Sequence, residues 1–539
     1  MTERTPDASA NRHAADVRIW THTIGSAILA LAVLTVVAPI LNTALNAVTD
    51  HSPSAGIPIR TSPRLLASLG VASLIAAIAC TLAVPAAFVV RTARARWIPL
   101  LFVPLLMPQY LAYAGWGLLR APGTWLGGRL EQAAMDGATW APLLVGKSFA
   151  IIGLALWSWP IAAVLIGVAA RRLEPATLDA LRLESSGLRR AAQLVAILRG
   201  PIFGAWLLVA ALMLGSAVPL HVAQFDTFAN AIWLALTLAP PDQRWRVTLA
   251  AWPMLAIAIV AGWLIASRLL RIADAGDAPA EPAGSSSRTA RIYTAALWCA
   301  SVLIPWVIFA ANIRTTSAFS TFFRTSGRAL SDSLVTSLVS ALAAVALAAA
   351  VWFAVGVTGR PGFTTRLGIR IITIGAFIPG VLAGAMLLDA YNRFDFIVET
   401  RLIRVAADLS RFGIVAVLAG CVAAGAESES HRAARRIDGA DTPAGWIRTN
   451  LPIGIGLIVA AGLAVALLAF HEIEAAVIVQ PPGIASLAQR ILGYLHYART
   501  EAMSAAGVVL IGGGVLLALA AASLVSIATI RRTGPPTNR

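Results

Sequence analysis

The feature that most constrains this chain is a series of twelve apolar runs, most of them near the length that crosses a lipid bilayer. A helix needs about 20 apolar residues to span the hydrocarbon core of a membrane. The runs lie near residues 23–45, 66–90, 98–119, 142–169, 202–222, 247–267, 292–312, 333–357, 368–389, 411–427, 453–471 and 503–528. Because a segment inside lipid must satisfy its backbone hydrogen bonds internally, and because the sequence lacks the alternating pattern of a barrel, we expect an all-α polytopic membrane protein with about twelve transmembrane helices.

Charge supports a membrane protein over a nucleic-acid-binding one. The net charge is +16, but only 13% of the residues are charged, against about 25% in soluble domains. No stripe of basic and aromatic residues indicates nucleic acid. With the N-terminus placed inside, the inner segments carry 25 Arg and Lys residues and the outer loops carry 14. Positive charge concentrates on the cytoplasmic side of membrane proteins, so we expect a cell (inner) membrane protein with both termini in the cytoplasm.

A linker divides the chain into two halves of six runs each. Residues 273–290 are rich in Pro, Ala, Gly and Ser, which is typical of a linker. We expect a cytoplasmic N-terminal segment over 1–22 and a C-terminal tail over 531–539. The first half would cover 23–272 and the second 291–530. Six spans per half make both halves start on the same side, which predicts two parallel six-helix repeats related by an axis along the membrane normal.

Weak internal similarities keep the same order in both halves. The stretch "MPQYLAYAG" (107–115) matches "IPGVLAGAM" (378–386), with Pro108 opposite Pro379. Repeats of this kind indicate a pseudo-symmetric pair with a path at its interface.

Two polar segments interrupt the apolar runs at equivalent places. The first polar segment (residues 174–201) and the second polar segment (residues 428–452) each lie between the fourth and fifth runs of their half. Each begins as an amphipathic helix, reaches a glycine, and ends at a proline where the next run starts. Proline is tolerated in the first turn of a helix. An ordinary basic loop is the alternative, but the duplicated position and layout argue against it.

These segments resemble the EAA loop of binding-protein-dependent ABC transporter permeases. The family pattern is Glu-Ala-Ala, three residues, Gly, about nine residues, a branched residue and Leu-Pro, and the spacing from Gly439 to Leu451-Pro452 follows it. Residues 471–502 are similar to the fused ferric-iron and thiamine type, which holds two six-span halves in one chain. The resemblance implies a type I importer permease whose loops dock onto two copies of a separate ATPase subunit, while a substrate-binding protein delivers cargo from outside.

The resemblance assigns ATPase coupling to specific residues. They are Asp179, Ala180, Leu181, Ser185, Gly187 and Pro201 in the first polar segment, and Ala434, Arg435, Gly439, Leu451 and Pro452 in the second. The segments also depart from the family pattern. Asp179-Ala180-Leu181 stands for Glu-Ala-Ala, Ser185 fills the glycine position with Gly187 two residues late, and the second segment offers Ala433-Ala434-Arg435. Coupling is therefore altered, or the ATPase partner is a divergent one.

No constellation of residues indicates an enzyme or a metal site. The stretch "VGKSF" (145–149) ends like a nucleotide-binding loop, but position 141 is Ala and no strand precedes it. We therefore expect a transport subunit without a cofactor, with ATP used by the partner. The three cysteines each lie alone in an apolar run, and we expect them to be buried residues that contribute only to packing. They are Cys80, Cys299 and Cys421.

Ionisable residues near the spans bear on the competing functions. We expect six of them at span ends, where water is near: Asp332, Asp389, Glu472, Glu474, His221 and His471. An ion-coupled secondary transporter would instead place ionisable groups at mid-membrane. A membrane scaffold that has lost transport is the third possibility, because the Glu positions of the loops are eroded. Among cargoes, the resemblance favours ferric iron, with thiamine second.

Overall fold

The computed structural model describes residues 8–49, 61–93, 97–171, 173–274, 286–425, 427, 429–438 and 440–532. These residues form α-helices, two π-helical segments, short 3-10 turns and loops, and no strand occurs among them. The all-helical expectation is confirmed for this part of the chain.

The helices of the first half are α1 (Ala8–Ala32), α2 (Ala38–Thr49), α3 (Thr61–Thr92), α4 (Ile98–Leu101), α5 (Val103–Leu106), α6 (Gln109–Gly117), α7 (Trp125–Met135), α8 (Trp140–Arg171), α9 (Pro175–Glu184), α10 (Gly187–Ile197), α11 (Arg199–Leu214), α12 (Val218–Val222), α13 (Phe228–Leu238), α14 (Arg244–Ala250) and α15 (Trp252–Asp274). The helices of the second half are α16 (Arg288–Trp298), α17 (Ile304–Ala311), α18 (Ser317–Gly356), α19 (Phe363–Gly375), α20 (Gly380–Tyr391), α21 (Asp395–Val398), α22 (Arg401–Gly425), α23 (Glu429–Ile437), α24 (Pro443–Thr449), α25 (Leu451–Phe470), α26 (Glu474–Ile478), α27 (Leu487–His496) and α28 (Thr500–Arg532).

Many of these helices are suited to a membrane. Within the described residues, 8 helices are long and apolar enough to cross one, and the number rises to 11 if each of three bent pairs is one span. The bent pairs are α10 with α11, α19 with α20, and α24 with α25. The protein is therefore a membrane-embedded helical protein.

The run at 98–119 does not form one continuous helix. It divides into α4, α5 and α6, with breaks at Phe102 and at Met107. Proline explains both breaks, because it lacks an N–H donor and its ring clashes with the preceding turn. Met107 precedes Pro108 and takes an extended backbone with ψ of 137°, as a residue before proline prefers.

The predicted span 411–427 also differs from the structure. Helix α22 begins at Arg401, ten residues before the predicted start at 411, so Arg401 and Arg404 belong to this helix. Of the expected linker, 275–285 lie outside the described residues, and α15 and α16 extend into its two ends.

Two local features of residues 8–274 recur in residues 286–532. A π-helical segment interrupts the first long helix of each half, at Val33–Val37 and at Cys299–Leu303. A sharp bend then follows the second long helix in each half. It is made at Pro108 with φ of −53° and ψ of 133°, and at Pro379 with φ of −50° and ψ of 136°. The two prolines that the sequence pairs thus share one backbone conformation.

The first helix of each half packs on the other half. Helix α1 lies against α18 and α19, and α16 lies against α3. Gly368 allows the first of these contacts, since an added Cβ would lie 2.9 Å from Ile28 Cγ2 and 3.1 Å from the backbone nitrogen of Leu29. Across the second contact, the Tyr293 hydroxyl donates to the Leu82 carbonyl at 3.1 Å. The two halves therefore pack against each other, and residues of both contribute to one large apolar cluster.

Candidate functional site

The second polar segment folds into two short helices joined by a turn. Helices α23 and α24 precede α25, which leaves the segment at a bend of 95°. The Thr442 hydroxyl caps α24 by accepting from the Gly445 N–H at 3.3 Å. Pro443 occupies the first turn of that helix, where its missing N–H costs nothing. Gly439, the glycine of the predicted motif, lies outside the described residues.

A buried arginine holds this turn to the bundle. The Arg435 side chain is only 1% exposed, and it donates from Nε to Glu427 Oε1 at 3.0 Å. Its Nη1 pairs with the Asp441 carboxylate, and its Nη2 donates to the Gly356 carbonyl at 3.2 Å. The Asn450 side chain donates to the same Glu427 oxygen at 3.2 Å. Arg435 is therefore buried, and its guanidinium holds the turn through contacts within the chain.

Aromatic packing adds a second anchor beside this arginine. Trp446 is buried and meets Trp352 edge to face, with ring centroids 4.8 Å apart and planes at 76°. Phe353 contacts the same indole at 5.6 Å between ring centroids. Both partners lie at the end of the 40-residue helix α18. These contacts fix the turn to α18, the longest helix of the described chain.

The first polar segment also consists of two short helices that lead into a bent helix, but different side-chain contacts hold it. Helices α9 and α10 lead into α11 through a bend of 70°. Ser185 ends α9 in extended conformation, and its hydroxyl donates to the Leu181 carbonyl at 3.0 Å. Gly187 starts α10 with φ of +55°, a left-handed conformation that glycine adopts without steric cost. The late glycine of the sequence is therefore the one that makes the turn.

Burial follows the same register in both segments when Ser185 is aligned with Gly439. Asp179 and Ala180 are exposed, as are Ala433 and Ala434, while Leu181 and Arg435 are buried. Four residues after each exposed first position, an aliphatic side chain projects into solvent. Leu183 is 88% exposed and Ile437 is 85% exposed. Both segments thus present one apolar side chain at the tip of their first helix.

Prolines and a leucine close the two segments. Pro201 is the third residue of α11, while Leu451 and Pro452 are the first two residues of α25. All three lie in the first turn of a helix that belongs to a bent pair. Their place agrees with the sequence expectation that each segment ends where the next apolar run begins.

A group of buried charges lies where sequence reasoning expected hydrated span ends. This buried ion network comprises Arg404, Asp408, Arg411, Glu472 and Glu474. Glu472 and Glu474 are only 4% and 5% exposed, so the expectation that they lie beside water is wrong. Asp408 was missed because the predicted span began at 411. The spacing Arg404, Asp408 and Arg411 could have revealed it, since these positions share one face of a helix.

The network joins the two halves. Arg411 pairs with Glu472, and its Nη2 lies 3.1 Å from Glu474 Oε2. Glu474 Oε1 accepts from the backbone N–H of Ala217, in the first half, at 2.8 Å. Arg404 bridges Asp408 to the Glu472 carbonyl, with 3.5 Å from Nε to Asp408 Oδ1 and 2.8 Å from Nη2 to that carbonyl oxygen.

Glu472 is stabilised as a carboxylate in this network. Burial by itself raises the pKa of the Glu472 carboxyl, but Arg411 and Arg404 more than offset it. The backbone N–H groups of Ala475 and Ala476 add hydrogen bonds at 3.1 Å, and hydrogen bonds to a carboxylate lower its pKa. The pKa of Glu472 therefore lies below its ordinary value.

The remaining singled-out residues take varied positions. Asp332 accepts from Arg401 at 2.8 Å, Asp389 and His471 are half-buried, and the His471 ring is 3.0 Å from the Leu106 carbonyl. The His221 ring lies 6.0 Å from that of His496. Lys147 of the nucleotide-like stretch lies inside the long helix α8.

Comparison of the chain with protein-family models, with curated proteins and with solved structures finds no match.

Proposed function

We propose that this chain is the permease subunit of an ATP-driven ABC importer, built from two parallel six-helix halves in the inner membrane. The paired π-helical segments and the matching bends at Pro108 and Pro379 support two repeats. The break in residues 98–119 then corresponds to the bend between α19 and α20, so that each half has six membrane-crossing units.

The observation that carries this proposal is the common burial register of the two polar segments. Each keeps one side chain inward, at Leu181 or Arg435, and one apolar side chain outward, at Leu183 or Ile437. An exposed aliphatic group on a firmly anchored turn is suited to a pocket on a soluble partner, because its burial there gives about 1.5–3 kcal/mol. Two equivalent tips fit two copies of one ATPase subunit.

ATP would then act by drawing the two tips together. Closure of the ATPase pair on nucleotide would move both polar segments and tilt one half against the other about the pseudo-twofold axis. Nucleotide can shift this equilibrium only through its different affinity for the two states. A binding protein would load cargo at the opposite end of the bundle. Ferric iron is the favoured cargo and thiamine the second, both from the family resemblance.

Co-purification of an ABC ATPase tests this proposal directly. The chain is purified from native membranes in mild detergent, as wild type and as the double variant Leu183→Asp and Ile437→Asp. We expect the ATPase at near two copies per wild-type chain and its loss from the variant. Leu238→Asp is the matched control, because Leu238 is 76% exposed and belongs to α13, beyond the span that follows the first polar segment. A wild-type chain that purifies alone, or a variant that retains the ATPase, contradicts the proposal.

The buried ion network favours a second candidate, an ion-coupled secondary transporter. Ionisable groups packed between helices of a membrane protein often mark an ion path. Uptake into sealed vesicles separates the two functions. Transport that follows an imposed ion gradient without ATP, and that stops in Glu474→Gln, would favour the secondary transporter over the importer.

A further inference from the structure

A cavity of about 670 Å³ opens at the end of α18 that lies far from the second polar segment. Its walls come from the start of α18, from the loop over residues 480–486, and from α27 with the turn after it. Its size falls in the range of about 300–1,000 Å³ that is typical of small-molecule sites. We call it the arginine cavity, because Arg328, Arg490 and Arg499 line it.

No acidic residue is among the described residues that line the arginine cavity. Close to its wall lies the carboxylate of Asp332, whose Oδ2 is 3.9 Å from Arg328 Nε. That carboxylate already has two closer partners. Its Oδ1 accepts from Arg401 at 2.8 Å, and its Oδ2 accepts from the Ala485 N–H at 3.1 Å. Asp332 therefore fixes the wall of the cavity and leaves the positive charge of its three arginines largely uncompensated.

Two of the arginines are held in place by backbone acceptors. Arg328 Nη2 donates to the Gly483 carbonyl at 3.0 Å, and Arg490 Nη2 donates to the Thr325 carbonyl at 2.8 Å. A guanidinium has five N–H donors, so one such bond restricts the group and leaves its other donors available. The Arg328 side chain is 80% exposed, so these bonds restrict the arginines only in part. A restricted side chain loses less freedom when an anion binds, and this raises affinity.

A strained turn positions the third arginine. Ala498 has φ of +51°, a left-handed conformation that is unfavourable for a non-glycine residue. Hydrogen bonds hold the turn, including one from the Arg499 N–H to the Tyr494 carbonyl at 2.9 Å. Strain of this type often occurs at binding sites, where the surrounding structure maintains it. Here it brings Arg499 and the exposed Tyr497 to the rim of the cavity.

The first half carries no equivalent cluster in its corresponding helix. Helix α13 occupies the place in the first half that α27 occupies in the second, and the sequence of α13 contains no arginine. Arg64, near the start of α3, is paired with Asp226 at 3.0 Å. Arg244 and Arg246 follow α13 in the chain, so Arg490 is the member of the cluster without a counterpart. This difference argues for a role of the arginine cavity beyond helix packing.

We propose that the arginine cavity binds a small anion with more than one carboxylate or phosphate group. Guanidinium groups bind carboxylate and phosphate oxygens in pairs, and three of them around one cavity suit a ligand with several negative groups. The Tyr494 hydroxyl, 2.8 Å from Ser326 Oγ, offers a further polar contact. The site does not depend on an ATPase partner, so it holds for either transport mechanism.

Calorimetric titration of the purified full chain tests this site. The chain is placed in nanodiscs of zwitterionic lipid and titrated with citrate and with inorganic phosphate. We expect saturable citrate binding that weakens roughly tenfold or more in Arg328→Gln combined with Arg490→Gln, since the variant loses charge-assisted hydrogen bonds to the anion. Arg393→Gln is the control, because Arg393 is exposed in another loop of the same half. Arg328→Lys keeps the charge and should restore part of the affinity.

Two further outcomes are decisive. Absence of citrate and phosphate binding at millimolar concentrations, or equal binding by the double variant with an unchanged melting temperature, overturns the proposal. Anionic lipid in the nanodisc distinguishes two sources of the same chemistry. If it blocks citrate in wild type but has no effect in the double variant, the same arginines hold a lipid headgroup phosphate. If citrate still binds, the ligand is a free solute.

Discussion

Replacing Arg435 by leucine should loosen the second polar segment without unfolding the bundle. The substitution leaves the buried carboxylates of Glu427 and Asp441 without their closest partner. Removing one member of a buried ion pair costs about 3–5 kcal/mol. Arg432 and Arg436 each lie 3.9 Å from one of these carboxylates, and they can take over part of the charge. We therefore expect the lower end of that range, about 3 kcal/mol.

Hydrogen exchange over residues 429–450 measures this loss. A cost of about 3 kcal/mol makes local opening roughly 100-fold more frequent, so amide protons of α23 and α24 should exchange faster by that factor. Exchange in the core of α18 should change little. Leu181 occupies the aligned position in the first polar segment, so leucine itself fits a turn of this shape.

A triple variant separates lost charge pairing from lost packing. Arg435→Leu combined with Glu427→Gln and Asp441→Asn removes the unpaired charges, and the amide oxygen introduced by Glu427→Gln can still accept from Asn450. We expect the triple variant to recover most of the protection. Wild-type exchange rates in the single variant, or no recovery in the triple variant, would refute the argument that these charges fasten the turn.

Three smaller changes test other parts of the structure. Trp446→Ala should lower the stability of the same turn by about 3–5 kcal/mol, measured by the same exchange experiment, and wild-type protection would contradict the packing argument. Gly187→Ala should destabilise the first polar segment by about 1–2 kcal/mol through its left-handed backbone alone, because an added Cβ meets nothing within 4 Å; Gly200→Ala, equally open but with ordinary backbone, should not. Gly368→Ala should lower the melting temperature of the purified chain, because α1 must move away, whereas Gly362→Ala has open space and should leave it unchanged.

Much of the helical architecture can be predicted from the apolar runs, because length and hydropathy are local properties. The break in residues 98–119 also has a local cause, since Pro104 and Pro108 lie in that run. The prediction of one continuous span gave more weight to the apolar residues than to these prolines. The bends at α20 and α25 had similar local signals, since Pro379 and Pro452 begin these helices. The angles of 117° and 95° were not predictable, because a bent pair has the same hydropathy as a straight span.

The position of the two polar segments could be predicted from the sequence, but the contacts within them could not. The position of both polar segments followed from the sequence, whereas the inward direction of Arg435 did not. A basic residue in a basic loop is usually expected to be exposed to water. Only the fold brings Glu427, eight residues earlier, and Asp441, six residues later, into contact with the guanidinium of Arg435. The buried ion network was missed for a related reason. Its members come from α22 and from the chain after α25, and only the tertiary structure brings them together.

The exchange of first helices between the halves has a consequence for how the chain is made. Gly25 of α1 lies against Thr365, which is synthesised more than half a chain length later. At about 5–20 residues per second, a ribosome needs on the order of tens of seconds to reach the partner. During that time α1 lacks its final neighbours, so other groups, such as lipid, must cover the face that later packs on α18 and α19. Each half made alone should be degraded, and both should accumulate when they are synthesised together.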